Sequence, residues 1–189
     1  MKKYIKENLE SIGKLFINHI GMTIFSLVVL ITAMLISEVV FYIMGALAII
    51  MYFSLLYTAM WERGAKDKVK IDGGRAKCNI FNGLYFYLLA NTLVIFTSLV
   101  ALILSLFITD EVSGVNEVYS VFRLITHFYN GMYMPITKIS GMGHVLHSVV
   151  YILTVLPGAV VSFISYILGV KGYRCIFPET KKAKSKRIE

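Results

Sequence analysis

Three of the four histidines, His127, His144 and His147, fall between two long apolar runs of this 189-residue chain. His144 and His147 stand three apart, so a helix would put both imidazoles on one face, where such pairs can ligate a transition metal. A zinc site takes three or four ligands at tight spacing, and neither that spacing nor an HExxH pattern is present. The sequence therefore points to no metal. Asn91 and Thr92 are the strongest candidates for buried polar groups, although an amide inside an apolar run more often bonds a neighbouring helix than a solute. Gly158, Ser162, Ser165 and Gly169 recur at intervals of four, three and four and form a small-residue helix-packing face, with Pro157 inviting a kink beside it. That face suits packing within the chain or the seam of a homodimer. No nucleophile elbow, Walker loop, dinucleotide-binding glycine pattern or carboxylate pair within an apolar run occurs, so the chain offers no catalytic set and no cofactor motif. It does not read as an enzyme.

The elements that would hold these residues follow from charge and hydropathy. Apolar residues make up 57% of the chain, charged residues only 16%, and the mean hydropathy is +0.72, too hydrophobic for an ordinary soluble domain of this length. Seventeen of the nineteen Lys and Arg residues lie in segments 1 to 14, 61 to 83 and 171 to 189. Between them, apolar stretches mark four spans at about 15–36, 39–60, 84–108 and 145–170, since about 20 residues cross a bilayer. From Leu15 to Trp61 the only charge is Glu38, so the chain must turn near Ser37 and Glu38. The expected fold is all-α, a single-domain bundle of four transmembrane helices. Basic residues resist translocation, which predicts both termini in the cytoplasm. The net charge of +8 then faces an anionic inner leaflet; no continuous basic face with aromatic readers suggests nucleic acid.

Within Met1 to Lys14, Ile5, Leu9, Ile12 and Phe16 recur at helical spacing, which predicts an amphipathic N-terminal helix on the membrane surface. Segment 109–144 carries Val118, Val121, Phe122, Ile125, Phe128, Tyr129 and Met132 opposite Ser120, Arg123, His127 and Asn130. This predicts an amphipathic extracytoplasmic helix ended by Pro135, seated at the interface in preference to covering a ligand as a lid. Tyr57, Trp61, Tyr85, Tyr87, Tyr166 and Tyr173 fit an interfacial aromatic belt, and His19 reads as a polar residue snorkelling to the nearer surface. The spans hold no Asp, Glu, Lys or Arg, which disfavours an ion-coupled pump. Asp72-Gly73-Gly74-Arg75 is a turn signal, and Cys78 and Cys175, both assigned to the reducing side, should be free thiols.

Trp61-Glu62-Arg63-Gly64-Ala65-Lys66-Asp67 with Gly74-Arg75, Tyr129-Asn130-Gly131-Met132-Tyr133-Met134-Pro135-Ile136, and Ser165 to Gly172 together resemble an uncharacterised family of small multi-pass integral membrane proteins of Firmicutes. The resemblance implies a bacterial plasma-membrane protein of about four helices and supplies no activity. Two functions stay open: a non-enzymatic accessory or interaction protein with a membrane-protein partner, and a small oligomeric transporter or pore for a neutral solute, lined by Asn91 and span hydroxyls.

Orientation can be tested with thiols. A membrane-impermeant maleimide should miss Cys78 and Cys175 in intact cells and label them after permeabilisation, whereas a Ser113→Cys variant should label without permeabilisation. Labelling of Cys78 in intact cells with the residue-113 thiol protected would invert the topology.

Overall fold

Turned toward the surroundings, the helices present almost nothing but aliphatic and aromatic side chains. The computed structural model describes residues 2–75, 79–108, 113–139 and 144–173, without the side chains of residues 2–7, 113 and 139; Cys78, Cys175 and the basic tail lie outside the described residues. The elements are α1 (Lys2–Ile36), α2 (Glu38–Asp72), α3 (Asn82–Ala90), α4 (Thr92–Ser105), α5 (Ser113–Tyr129), a 3-10 turn (Gly131–Tyr133), α6 (Met134–Ile139), α7 (His144–Leu153) and α8 (Val155–Lys171). No strand occurs among the described residues. Ile17, Ile24, Val28 and Ile31 of α1 and Ile43, Leu47 and Ile50 of α2 are exposed, while His19, Thr23 and Ser26 are buried. A helix in water would reverse that pattern. The stretches 8–36, 38–72 and 144–171 are long and apolar enough to cross a membrane, and α3 with α4 makes a fourth if their bend is counted inside one span.

Several expectations change. The amphipathic opening segment is helical from Lys2 but is continuous with the first span, so it forms the initial turns of α1 and no separate element. Helix α2 continues past Met60 to Asp72. The third span is not one rod: α3 and α4 meet at 63° across Asn91. Tyr87 and Tyr166, assigned to a surface belt, are 2% and 1% exposed and belong to the core.

The turn between α1 and α2 consists of Ser37 alone. Its extended backbone (φ −167°, ψ 160°) reverses the chain, its hydroxyl accepts from the Val40 amide at 3.2 Å, and its own amide closes α1 on the Ala33 carbonyl. Two antiparallel helices result. Lys14 with Glu62 (3.0 Å) marks their basic end, and Glu38 with Lys138 (3.7 Å) marks the far end.

Helix α8 crosses α2 so closely that glycines are required on both. A Cβ on Gly64 would overlap the Tyr166 carbonyl and stand 2.9 Å from the Val170 amide; one on Gly169 would overlap the Trp61 carbonyl and stand 3.0 Å from the Ala65 amide. Both obstacles are backbone, which cannot swing aside, so lateral packing here depends on the missing side chains. The Trp61 indole N–H donates to the Tyr173 carbonyl, which closes the crossing at its rim.

Gly169→Ala should therefore push α8 off α2 and cost at least about 2 kcal/mol, in the range of severe overpacking. Gly21→Ala, where a Cβ meets nothing within 4 Å, should be neutral or slightly stabilising. Thermal unfolding of both variants in detergent checks the contrast, and equal stability would refute the close crossing.

Candidate functional site in the middle of the bundle

Helix α5 buries its polar side and exposes its apolar one. Val118, Val121, Leu124 and Phe128 face outward, whereas Tyr119, Thr126 and Asn130 are buried and Arg123 and His127 are partly so. The expected helix seated at the membrane interface is replaced by one inserted among the other helices. Its contacts trace a descent and a return. The Tyr119 ring lies edge-on to His144, the Tyr129 carbonyl meets His19 and Thr23, Gly131 abuts Leu27, Pro135 abuts Gly45, and Lys138 lies over the Phe41 ring beside Glu38. Segment 113–139 is thus a re-entrant hairpin from the far end. At 1.5 Å per residue, its tip lies about 25 Å along α1 from Ile36 and only about 8 Å from Lys14. Pro135 does not end α5. The helix stops at Tyr129, and Pro135 occupies the first turn of α6, where its missing N–H costs no hydrogen bond.

A helix that ends inside a bundle leaves carbonyls to be satisfied. Thr126 O accepts from the Asn130 amide and from Asn130 Nδ2, both at 3.0 Å, and Tyr129 O accepts from His19 Nε2 (3.0 Å) and the Thr23 hydroxyl (3.1 Å). Because a carbonyl only accepts, His19 carries its proton on Nε2, and Nδ1 must accept from the Tyr52 hydroxyl at 3.1 Å. Tyr52 thereby donates to His19, and the line Tyr52, His19, Tyr129 carbonyl runs from α2 through α1 to the hairpin tip with a single direction of donation.

Two more helix interruptions meet this layer. At Asn91 the side-chain amide donates to Tyr87 O (2.9 Å), and the Thr92 hydroxyl donates to Leu88 O and Leu89 O (both 3.0 Å), so side chains occupy carbonyls that would otherwise serve the next turn. This bends the third span without glycine or proline. At Thr154 the hydroxyl donates to Tyr151 O (2.7 Å) and to Asn130 Oδ1 (3.1 Å), while Pro157 removes the amide that Leu153 O would have received. The break between α7 and α8 is therefore tied directly to the hairpin tip. The hydroxyls of Ser26, Ser98, Thr126, Tyr133 and Ser162 are buried without a partner among the described residues.

Polar clusters lie above and below this layer. Toward the far end, Tyr151 is 1% exposed and its hydroxyl is hydrogen-bonded to both His127 Nδ1 and His147 Nε2, the latter at 3.1 Å. Toward the basic end, Asp67 accepts from the Tyr166 hydroxyl (3.0 Å) and pairs with Arg63 (3.2 Å); Arg63 also donates to Ser11 (2.9 Å) and Asn8 (2.6 Å) and lies over Phe86. Asn82 donates to the same Tyr166 oxygen at 3.2 Å. Four helices converge on one ion pair.

Among the sequence candidates, Asn91 is buried but bonds within its own helix, and Thr92 lies exposed on the bundle surface in place of the expected burial. Gly158, Ser162, Ser165 and Gly169 are all buried inside the chain, Gly158 against Tyr87 of α3 and Gly169 against α2. His127 and His147 share Tyr151, His144 packs on Tyr119, and no group of three or more His, Cys, Asp or Glu that could hold a metal occurs among the described residues. The sequence reading missed His19, which is 4% exposed and central. The signal was available: His19, Thr23 and Ser26 repeat at four and three on an otherwise apolar helix, which marks an inward polar stripe. No family model matches this chain, and no curated protein or solved structure resembles it.

Thr154→Val, nearly isosteric, would leave Asn130 Oδ1 buried without its donor and should cost about 1–3 kcal/mol. Unfolding in detergent checks this; stability equal to the parent would show that the hairpin tip is not held by that bond.

Proposed function

We propose that the chain passes a small neutral polar solute across a bacterial plasma membrane, in which it is a multi-pass protein with both termini cytoplasmic, belonging with the Firmicutes proteins it resembles. The observation that carries this reading is the mid-bundle layer, where three helix interruptions and the His19, Tyr52, Tyr87 and Tyr133 side chains meet inside an apolar shell. Helix breaks inside a membrane bundle are kept where the freed backbone is buried in protein or lines a polar path, and here the Thr126 and Tyr133 hydroxyls beside the breaks have no partner among the described residues. Neutral solutes suit it because no carboxylate, lysine or arginine is found in the layer. The accessory reading draws on the small-residue face of α8, and α2 and α3 fill that face within the same chain. A homodimer is not required for a path through a single bundle.

Reconstitution into liposomes tests the proposal. Stopped-flow light scattering with water, urea and glycerol should show flux of at least one of them about tenfold above protein-free vesicles, as for a polar-lined pore. Tyr133→Phe removes a buried hydroxyl that has no partner among the described residues, so it should leave stability unchanged while altering that flux. Flux at the protein-free level for all three would overturn the reading.

A further inference from the structure

At the basic end, α1 and α2 leave a cleft of about 70 Å³ that the solute path does not use. Its floor is Leu15, Ala59 and Met60, and its walls carry Lys14, Arg63 and Lys66 against Glu10 and Glu62. Two of these charges face each other, Lys14 with Glu62 at 3.0 Å, and Arg63 is neutralised by Asp67 at 3.2 Å outside the cleft. Lys66 and Glu10 remain, exposed and without an ion-pair partner among the described residues, on opposite helices of the same cleft. The cleft thus offers a cation on α2, a carboxylate on α1, and an apolar base.

It also lies where the apolar stretch of α1 gives way to charge, between Leu15 and Glu10. We propose that this cleft binds a phosphate ester that carries an ammonium group, held as the zwitterionic headgroup of a phosphoethanolamine lipid, with phosphate on Lys66, ammonium on Glu10, and the acyl stem leaving along the apolar side of the cleft. An anionic headgroup would satisfy Lys66 but leave Glu10 facing like charge; a purely cationic ligand would meet Lys66 and Arg63. Only the zwitterion matches both signs. This site is separate from the mid-bundle layer and stands or falls independently of solute passage.

The test is native mass spectrometry of the full chain released from micelles containing equal amounts of dioleoyl phosphatidylethanolamine and dioleoyl phosphatidylglycerol. Retention of phosphatidylethanolamine should exceed that of phosphatidylglycerol about threefold or more, and Lys66→Ala or Glu10→Gln should each abolish the preference, as loss of a partly exposed charge contact would. Lys68→Ala, which removes a cation paired with Asp72 outside the cleft, should leave the preference intact. Adding soluble phosphoethanolamine separates the sources: no displacement of lipid identifies the headgroup in the membrane, and displacement at micromolar concentration identifies a free phosphorylated amine as the ligand and overturns the lipid assignment. Equal or greater retention of phosphatidylglycerol, or an unchanged preference in both cleft variants with parental thermal stability, would overturn the zwitterion site altogether.

Discussion

A helix end with no water around it must find donors for its last carbonyls, and much of this bundle is arranged around meeting that demand at Tyr129. His19 and Thr23 both donate to that one oxygen from α1. Each unsatisfied carbonyl in an apolar interior costs several kcal/mol, so a re-entrant hairpin is stable only where side chains of this kind stand ready. The requirement then propagates. His19 is fixed in one tautomer by its bond to the carbonyl, that tautomer needs a donor at Nδ1, and Tyr52 is ordered in consequence.

The two halves of the bundle solve the packing problem differently. Toward the basic end, α2, α3 and α8 approach at backbone distance through Gly64, Gly83 and Gly169, with Arg63, Asp67, Tyr166 and Asn82 bonded together beside them. Without a hydrophobic drive between helices in lipid, close van der Waals contact and hydrogen bonds are the available cohesion. Toward the far end the hairpin fills the space instead, and its rings and hydroxyls tie α5 to α7 through Tyr151. The junction between these halves is the layer where α3 turns into α4 and α7 into α8. A solute path, if placed there, would sit at the boundary between a rigid half and one assembled from short helices joined by side chains.

Three stretches of the chain occupy connected positions. Trp61 to Asp67 and Ser165 to Gly172 form the two sides of the α2 and α8 crossing, and Tyr129 to Ile136 forms the hairpin tip. Their residue types follow from those places: glycine where backbones touch, asparagine and glycine where α5 must stop, and proline at the start of α6.

The sequence by itself determined the helical class, the positions of the long apolar stretches and the turn at Ser37, because each rests on local quantities: hydropathy over about 20 residues and a capping side chain beside an acidic first turn. The small-residue face of α8 was equally legible from its spacing. What periodicity does not encode is the polarity of the surroundings. The stripe on α5 read as a face seated at the membrane interface, because periodicity reports only that two faces differ; the tertiary structure inserts the helix, turning Val118, Val121 and Phe128 outward and Asn130 and Thr126 inward. The bend at Asn91 was likewise invisible, since it arises from two side chains competing for the carbonyls of Tyr87, Leu88 and Leu89 without a helix-breaking residue. The spacing of His19, Thr23 and Ser26 marks an inward polar stripe, but only the three-dimensional arrangement decided what His19 bonds, because its partners lie 33 and 110 residues away and no local window contains them.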